Sequence, residues 1–131
     1  MSFLKKRIFS FKNAFRGVFV FFTKYGGAHA KIHLLATILV IALGFVLNIE
    51  PIQWVALSFA IGLVLVAEII NSAIEQLVDL LHPDRNEKAG AIKDMAAGAV
   101  LISAFVAVII GLWVFGIQLL IWGAWLFGFH G

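Results

Sequence analysis

Glu68, Asn71, Ser72, Glu75 and Asp79 stand at offsets of 0, 3, 4, 7 and 11. At about 100° per residue that spacing holds all five on one face of a helix, with Ile, Leu, Val and Ala opposite. Acids in this pattern suit two kinds of chemistry. A carboxylate in apolar surroundings can take the proton of a hydroxyl, and one nearer water can hold a divalent cation against phosphate oxygens. Asn71 and Ser72 by themselves equally suit hydrogen bonding between packed membrane helices, worth about 1 kcal/mol. That account does not extend to Glu68, Glu75 and Asp79 together, because three like charges need protons, a Lys or a divalent cation to neutralise them. Further along stand Lys88, Gly90, Lys93 and Asp94. Alone they read as interfacial anchors. Beside the acidic stripe they supply what a nucleoside triphosphate needs, a Lys for phosphate oxygens and carboxylates for the magnesium that bridges them. The run Ala96-Ala97-Gly98-Ala99 is a close-packing feature rather than a binding loop.

The elements that must carry this stripe are set by composition. Of 131 residues, 63% are apolar and 13% charged, with a mean hydropathy of +1.05. Soluble domains run at about 45–50% apolar and about 25% charged, so an ordinary water-soluble globule is excluded, as are a disordered and a collagen-like chain. One domain spanning residues 1–131 fits the length. The absence of Cys removes disulfides and thiolate metal sites. Seven of the ten cations precede the first long apolar run, and no acid occurs before Glu50. Phe, Val, Ile and Leu lie between those cations, which favours anionic lipid headgroups over nucleic acid as their partner.

Residues 3–24 read as an amphipathic surface helix, with Leu4, Ile8, Phe11, Phe15, Val18, Phe19 and Phe22 on one face. Lys12 and Arg16 interrupt the apolar core that a signal peptide requires. Transmembrane helices are expected over about residues 32–48, 53–81 and 91–115. Trp54 is placed as an interface anchor. The first two spans are separated by the turn Asn48-Ile49-Glu50-Pro51, the last two by the polar loop His82-Pro83-Asp84-Arg85-Asn86. The last span is expected to end at Phe115, leaving residues 116–131 from Gly116 onward as an aromatic tail, with Trp122, Trp125, Phe127 and Phe129 at the interface. Every Lys and Arg lies in the amino-terminal region or in residues 82–93. The positive-inside rule then puts the amino end and the second loop in the cytoplasm and the carboxyl end outside. Counted from Trp54, Glu68 lies about 21 Å along its helix, inside the hydrocarbon. A carboxylate there costs at least about 2.5–3.5 kcal/mol and signals function by default.

Two blocks, Ala67-Glu68-Ile69-Ile70-Asn71-Ser72-Ala73-Ile74-Glu75 with Val78-Asp79, and Ala91-Ile92-Lys93-Asp94-Met95-Ala96-Ala97-Gly98-Ala99-Val100-Leu101, closely resemble the small integral-membrane prokaryotic diacylglycerol kinase family, which includes undecaprenol kinases. Lys31-Ile32-His33 and Pro51 to Trp54 are similar to it too. The resemblance covers roughly residues 10–115. It implies an all-α fold, a homotrimer of three-helix subunits each with an amino-terminal surface helix, in the bacterial inner membrane. It also implies phosphorylation of a lipid hydroxyl by magnesium ATP. Carried over by position, Glu68 is the general base, Glu75 a metal ligand, and Asn71, Lys93 and Asp94 contact the nucleotide. Ser72 joins Glu68 at the lipid substrate, and Asp84, Arg85 and Asn86 match positions near the nucleotide. Asp79 is structural or close to the nucleotide.

The chain departs from the family pattern in one respect. Many members place an acid before the first transmembrane helix, at the metal site, whereas this chain reads Tyr25-Gly26-Gly27-Ala28-His29. Residues 96–101 look more like the undecaprenol-kinase branch and Asn71-Ser72 like the diacylglycerol branch, so the reading leans slightly to undecaprenol, with diacylglycerol as the other lipid. A small proton-coupled transporter using Glu68 is the rival from another class, and the missing acid keeps open a non-catalytic membrane subunit.

Overall fold

The computed structural model describes residues 3–84 and 86–126. Four α-helices follow in order: α1 (Phe3–Val20), α2 (Gly27–Val46), α3 (Pro51–Leu81) and α4 (Glu87–Leu126), with a π-helical turn at Phe21–Tyr25 between the first two. Among the described residues there is no strand. The helices α2, α3 and α4 are each long and apolar enough to cross a membrane. Large apolar side chains such as Phe59, Leu101 and Leu112 point away from the protein, which lipid tolerates and water does not.

No residue of α1 is buried. At its end the Gly26 N–H reaches back five residues to the Phe21 carbonyl at 2.8 Å, closing the π turn. Gly26 is required there, since a Cβ would collide with Ala30 Cβ and the Phe21 ring. Gly27 then takes φ +54° and opens α2. The sequence places the start of this span at about residue 32, yet α2 begins five residues earlier. Lys31 is simply carried on the first turns of the helix.

Asn48 ends α2 in the left-handed region at φ 49°. The Ile49 N–H bonds the Gly44 carbonyl at 3.1 Å and the Asn48 N–H bonds that of Phe45 at 3.2 Å, which is a Schellman closure with Asn in the usual glycine position. Pro51 then occupies the first turn of α3, where its missing N–H costs nothing. Buried Leu47, Ile49, Leu57 and Val114 form a small core at this turn, with Trp54 and Phe115 packed on it. Trp54 lies over Gly44, and its ring is 4.8 Å from that of Phe45. It is therefore a packing residue within the protein.

The hairpin of α3 and α4 forms the main body of packing. Asn86 caps α4 by accepting the Ala89 N–H at 3.1 Å. Near one end Lys93 Nζ donates to Asp79 Oδ1 at 2.9 Å, and near the other Gln118 Nε2 donates to Gln53 Oε1 at 3.0 Å. These contacts are 26 residues apart on α3 and 25 on α4, so the antiparallel register holds over about 39 Å.

The expected end of the last helix at Phe115 is not where the helix stops. It runs through Gly116 to Leu126, carrying Trp122 and Trp125 on its surface. Glycine weakens helices in water by exposing backbone and retaining chain entropy. In an apolar solvent nothing competes for the freed backbone groups, and the helix persists. Arg85, Phe127 and Phe129 lie outside the described residues.

Candidate functional site

The polar face of α3 is graded. Glu68 and Ser72 are buried at 4% and 8% exposure. Asn71 and Glu75 are half-buried, and the Asp79 side chain is 60% exposed. The stripe thus forms a track that starts inside the protein and opens at the end where the 82–86 loop lies.

Each acid meets a different partner. Glu68 Oε1 lies 2.7 Å from Nε2 of His33 on α2. Glu75 Oε1 accepts from Asn71 Nδ2 at 3.3 Å, one turn away on the same helix. Asp79 takes Lys93. The three like charges are therefore separated along the helix and given a His, an amide and a Lys in turn. Asn71 Oδ1 is buried without a hydrogen-bond partner, and a buried acceptor left so is costly unless a ligand satisfies it.

Two open grooves flank this track. Ser72 lines one of 520 Å³ beneath α1 and the π turn, with Val20, Phe21, Tyr25 and Gln76 around it. Asn71 stands at the edge of the other, an apolar groove of 590 Å³ between α3 and α4 walled by Ile70, Ile74, Met95 and Ala99. Both have the shape and lining to admit the chains of a lipid beside a polar residue.

Of the residues singled out from sequence, the structure brings Glu68, Asn71, Ser72, Glu75, Asp79 and Lys93 onto one continuous track. Asp94 is exposed on α4 and Asp84 is exposed in the loop, and no described contact joins either to the stripe. Asn86 serves as a helix cap. Among the described residues no cluster of three His, Asp or Glu groups is suited to a metal. Magnesium usually keeps its waters and takes only one or two carboxylates plus substrate phosphates. Glu75 and the unpartnered Asn71 oxygen are hard donors of that kind, so the residues present fit such an ion.

The sequence pattern of prokaryotic diacylglycerol kinase matches residues 12–115. The chain belongs to the prokaryotic diacylglycerol kinase family. Three helices of spanning length in a member of this family make it a membrane protein. Among similar proteins of the family, the undecaprenol kinase of Bacillus subtilis (strain 168) is 36% identical over 106 residues, covering 81% of this chain and 85% of that protein. The diacylglycerol kinase of Synechocystis sp. is 38% identical over 104 residues, covering 78% of this chain and 58% of that protein. The diacylglycerol kinase of Escherichia coli (strain K12) is 40% identical over 74 residues, covering 56% of this chain and 61% of that protein. The chain thus spans about three-fifths of the length of the last two. Within this family member, the track on α3 and the start of α4 fall wholly inside the matched region.

One residue of the site was not singled out from the sequence as a participant. His33 lies within a segment similar to the family, but its partner is on another helix. Periodicity along one helix carries no signal for a partner on another, and only the packing of α2 against α3 brings His33 Nε2 to Glu68.

Proposed function

We propose that this protein is a lipid kinase that transfers the γ-phosphate of ATP to the hydroxyl of a membrane lipid, undecaprenol or diacylglycerol. The observation that carries this reading is the graded track: a buried carboxylate at Glu68 with polar groups leading from it to one end of the bundle only. A lipid hydroxyl arrives from the bilayer side and a nucleotide from the aqueous side, and such a track is where they would meet. Kinase relatives that match most of the chain support the same reading.

In this reading Glu68 accepts the proton of the lipid hydroxyl, and Ser72 in the neighbouring groove orients that hydroxyl. Asn71, Lys93, Asp94 and Asp84 are assigned to the nucleotide. Lys93 exchanges its contact with Asp79 for phosphate oxygens. Glu75, with the Asn71 oxygen beside it, would hold magnesium, whose charge offsets that of the phosphates. Phosphoryl transfer depends mostly on positioning and electrostatics, so a short list of polar residues is enough. The loop end of the hairpin faces the cytoplasm of a bacterial inner membrane, α1 lies amphipathically on that surface, and the carboxyl end is outside. The working unit is a homotrimer.

The pair of half-buried His33 and buried Glu68 also suits proton transport, in which intramembrane His and Glu side chains recur. The track argues against it. Beyond Glu68 toward Trp54, the hydroxyl of Ser58 is turned onto the Trp54 carbonyl of its own helix at 2.8 Å, and no described acid or base continues the path. Purified protein in bicelles, given labelled ATP, magnesium and each lipid in turn, tests the assignment. Labelled lipid that vanishes in Glu68→Gln is the expected result. Full transfer by Glu68→Gln, or proton flux in proteoliposomes without labelled lipid, overturns it.

A further inference from the structure

The Glu68 carboxylate ends a flexible side chain with three rotatable bonds, on a helix that cannot by itself fix where that carboxylate points. Its placement comes from α2. His33 Nε2 sits 2.7 Å from Oε1, with side-chain exposures of 23% for His33 and 5% for Glu68. The surroundings are largely apolar. His33 lines a groove of 520 Å³ between α2, α3 and α4, and among the described residues it is the one ionisable group there. The other walls are apolar apart from Thr37, with Val40, Leu57, Val64 and Ala107 among them. Among the described residues no Lys or Arg is paired with Glu68. In such surroundings a single polar contact is worth far more than at the protein surface.

We infer that His33 is a positioning residue for Glu68, reaching from α2 to hold one carboxylate oxygen so that the other faces the lipid hydroxyl. This inference rests on the reading of Glu68 as the base. With Oε1 engaged by His33, Oε2 is the oxygen left to receive the proton. The hydroxyl oxygen forms its bond to the γ-phosphorus as the bond from that phosphorus to the bridging oxygen breaks, its electron pair leaving with ADP. The hydroxyl proton passes to Glu68 and is later released to water. His33 neither gives nor takes a proton in this step. It fixes the direction of the group that does, and its contact also ties α2 to the site.

The test compares His33→Leu, His33→Gln and Glu68→Gln in bicelles with labelled ATP and saturating lipid. His33→Leu is expected to lower kcat about 10- to 100-fold, by analogy with the loss when the hydrogen-bond partner that orients a metal ligand is removed, with KM for ATP within about twofold of the parent. His33→Gln restores an N–H donor of similar reach, and is expected to recover most of the lost rate. A merely structural His33 would change ATP binding and kcat together and show no rescue by Gln. The inference is overturned if His33→Leu keeps the parent kcat, if Gln is no better than Leu, or if both variants lose ATP affinity along with rate. Glu68→Gln separates the two claims. If it is fully active, the base assignment itself fails. If it is inactive while His33→Leu turns over normally, only the positioning role is lost.

Discussion

Glu75 and Lys93 sit at the open end of the polar track, where substitution should disturb ligands more than folding. The Lys93–Asp79 pair is exposed on both sides, and such pairs contribute little to stability because water screens them and ordering two side chains costs entropy. Lys93→Met is therefore expected to leave the melting temperature in detergent unchanged while raising KM for ATP at least tenfold. Glu75→Gln keeps the shape and the contact with Asn71 but removes the charge. A magnesium titration of activity should then move its midpoint upward by at least tenfold, at unchanged helix content by circular dichroism. An unmoved midpoint would take Glu75 out of the metal site. At this scale the sequence was informative along one helix. Five polar residues repeat with helical spacing, and only Glu68 among them is both acidic and deep. His33 was not legible in the same way, because periodicity reports neighbours on one helix and is silent about which residue of another helix comes opposite.

The helices are positioned by a few polar and small residues. Gln53 Oε1 accepts both the Glu50 N–H at 2.9 Å and Gln118 Nε2 at 3.0 Å. The two partners are thus unequal. Gln118→Leu removes one interhelical bond, at a cost of about 0.6 kcal/mol by the average for membrane proteins. Gln53→Leu strands two donors at once, so its melting temperature should fall further than that of Gln118→Leu. At Gly44 an added Cβ would lie 2.7 Å from the Trp54 ring and 3.1 Å from Ile49. Overpacking of this kind costs about 1–3 kcal/mol, and Gly44→Ala should show it as a lower melting temperature with lipid specificity unchanged. Element existence was plain in the sequence, because three long apolar runs are separated by an Asn-Pro turn and a charged loop. Boundaries were less so. Gly116 reads as a break by the rules of water, yet it sits inside α4. The π turn at Phe21–Tyr25 was not legible in the sequence, because no residue type marks such a turn as Asn or Pro marks the one at 48–51.

At the scale of the molecule, most of the apolar surface faces outward and the burial that exists is concentrated on α3. A chain built in this way places its specificity in polar contacts, because apolar packing gives little preference over lipid. The proposed trimer should appear as a mass of three copies by cross-linking in bicelles. A monomer with full lipid kinase activity would remove it.

Both extremities of the α3–α4 hairpin are clasped, by Asp79 with Lys93 and by Gln53 with Gln118. Of the two, the buried Gln53–Gln118 contact is the one that resists sliding of one rod past the other, since the exposed Lys93–Asp79 pair adds little. With that register kept, the hairpin does not shorten or lengthen to suit thinner or thicker membranes. Leaning is the remaining freedom, and leaning would lift or sink Glu68 relative to the headgroups. Turnover measured across phosphatidylcholines of increasing acyl length should accordingly peak at one thickness and decline on either side, so that the membrane itself sets the pace.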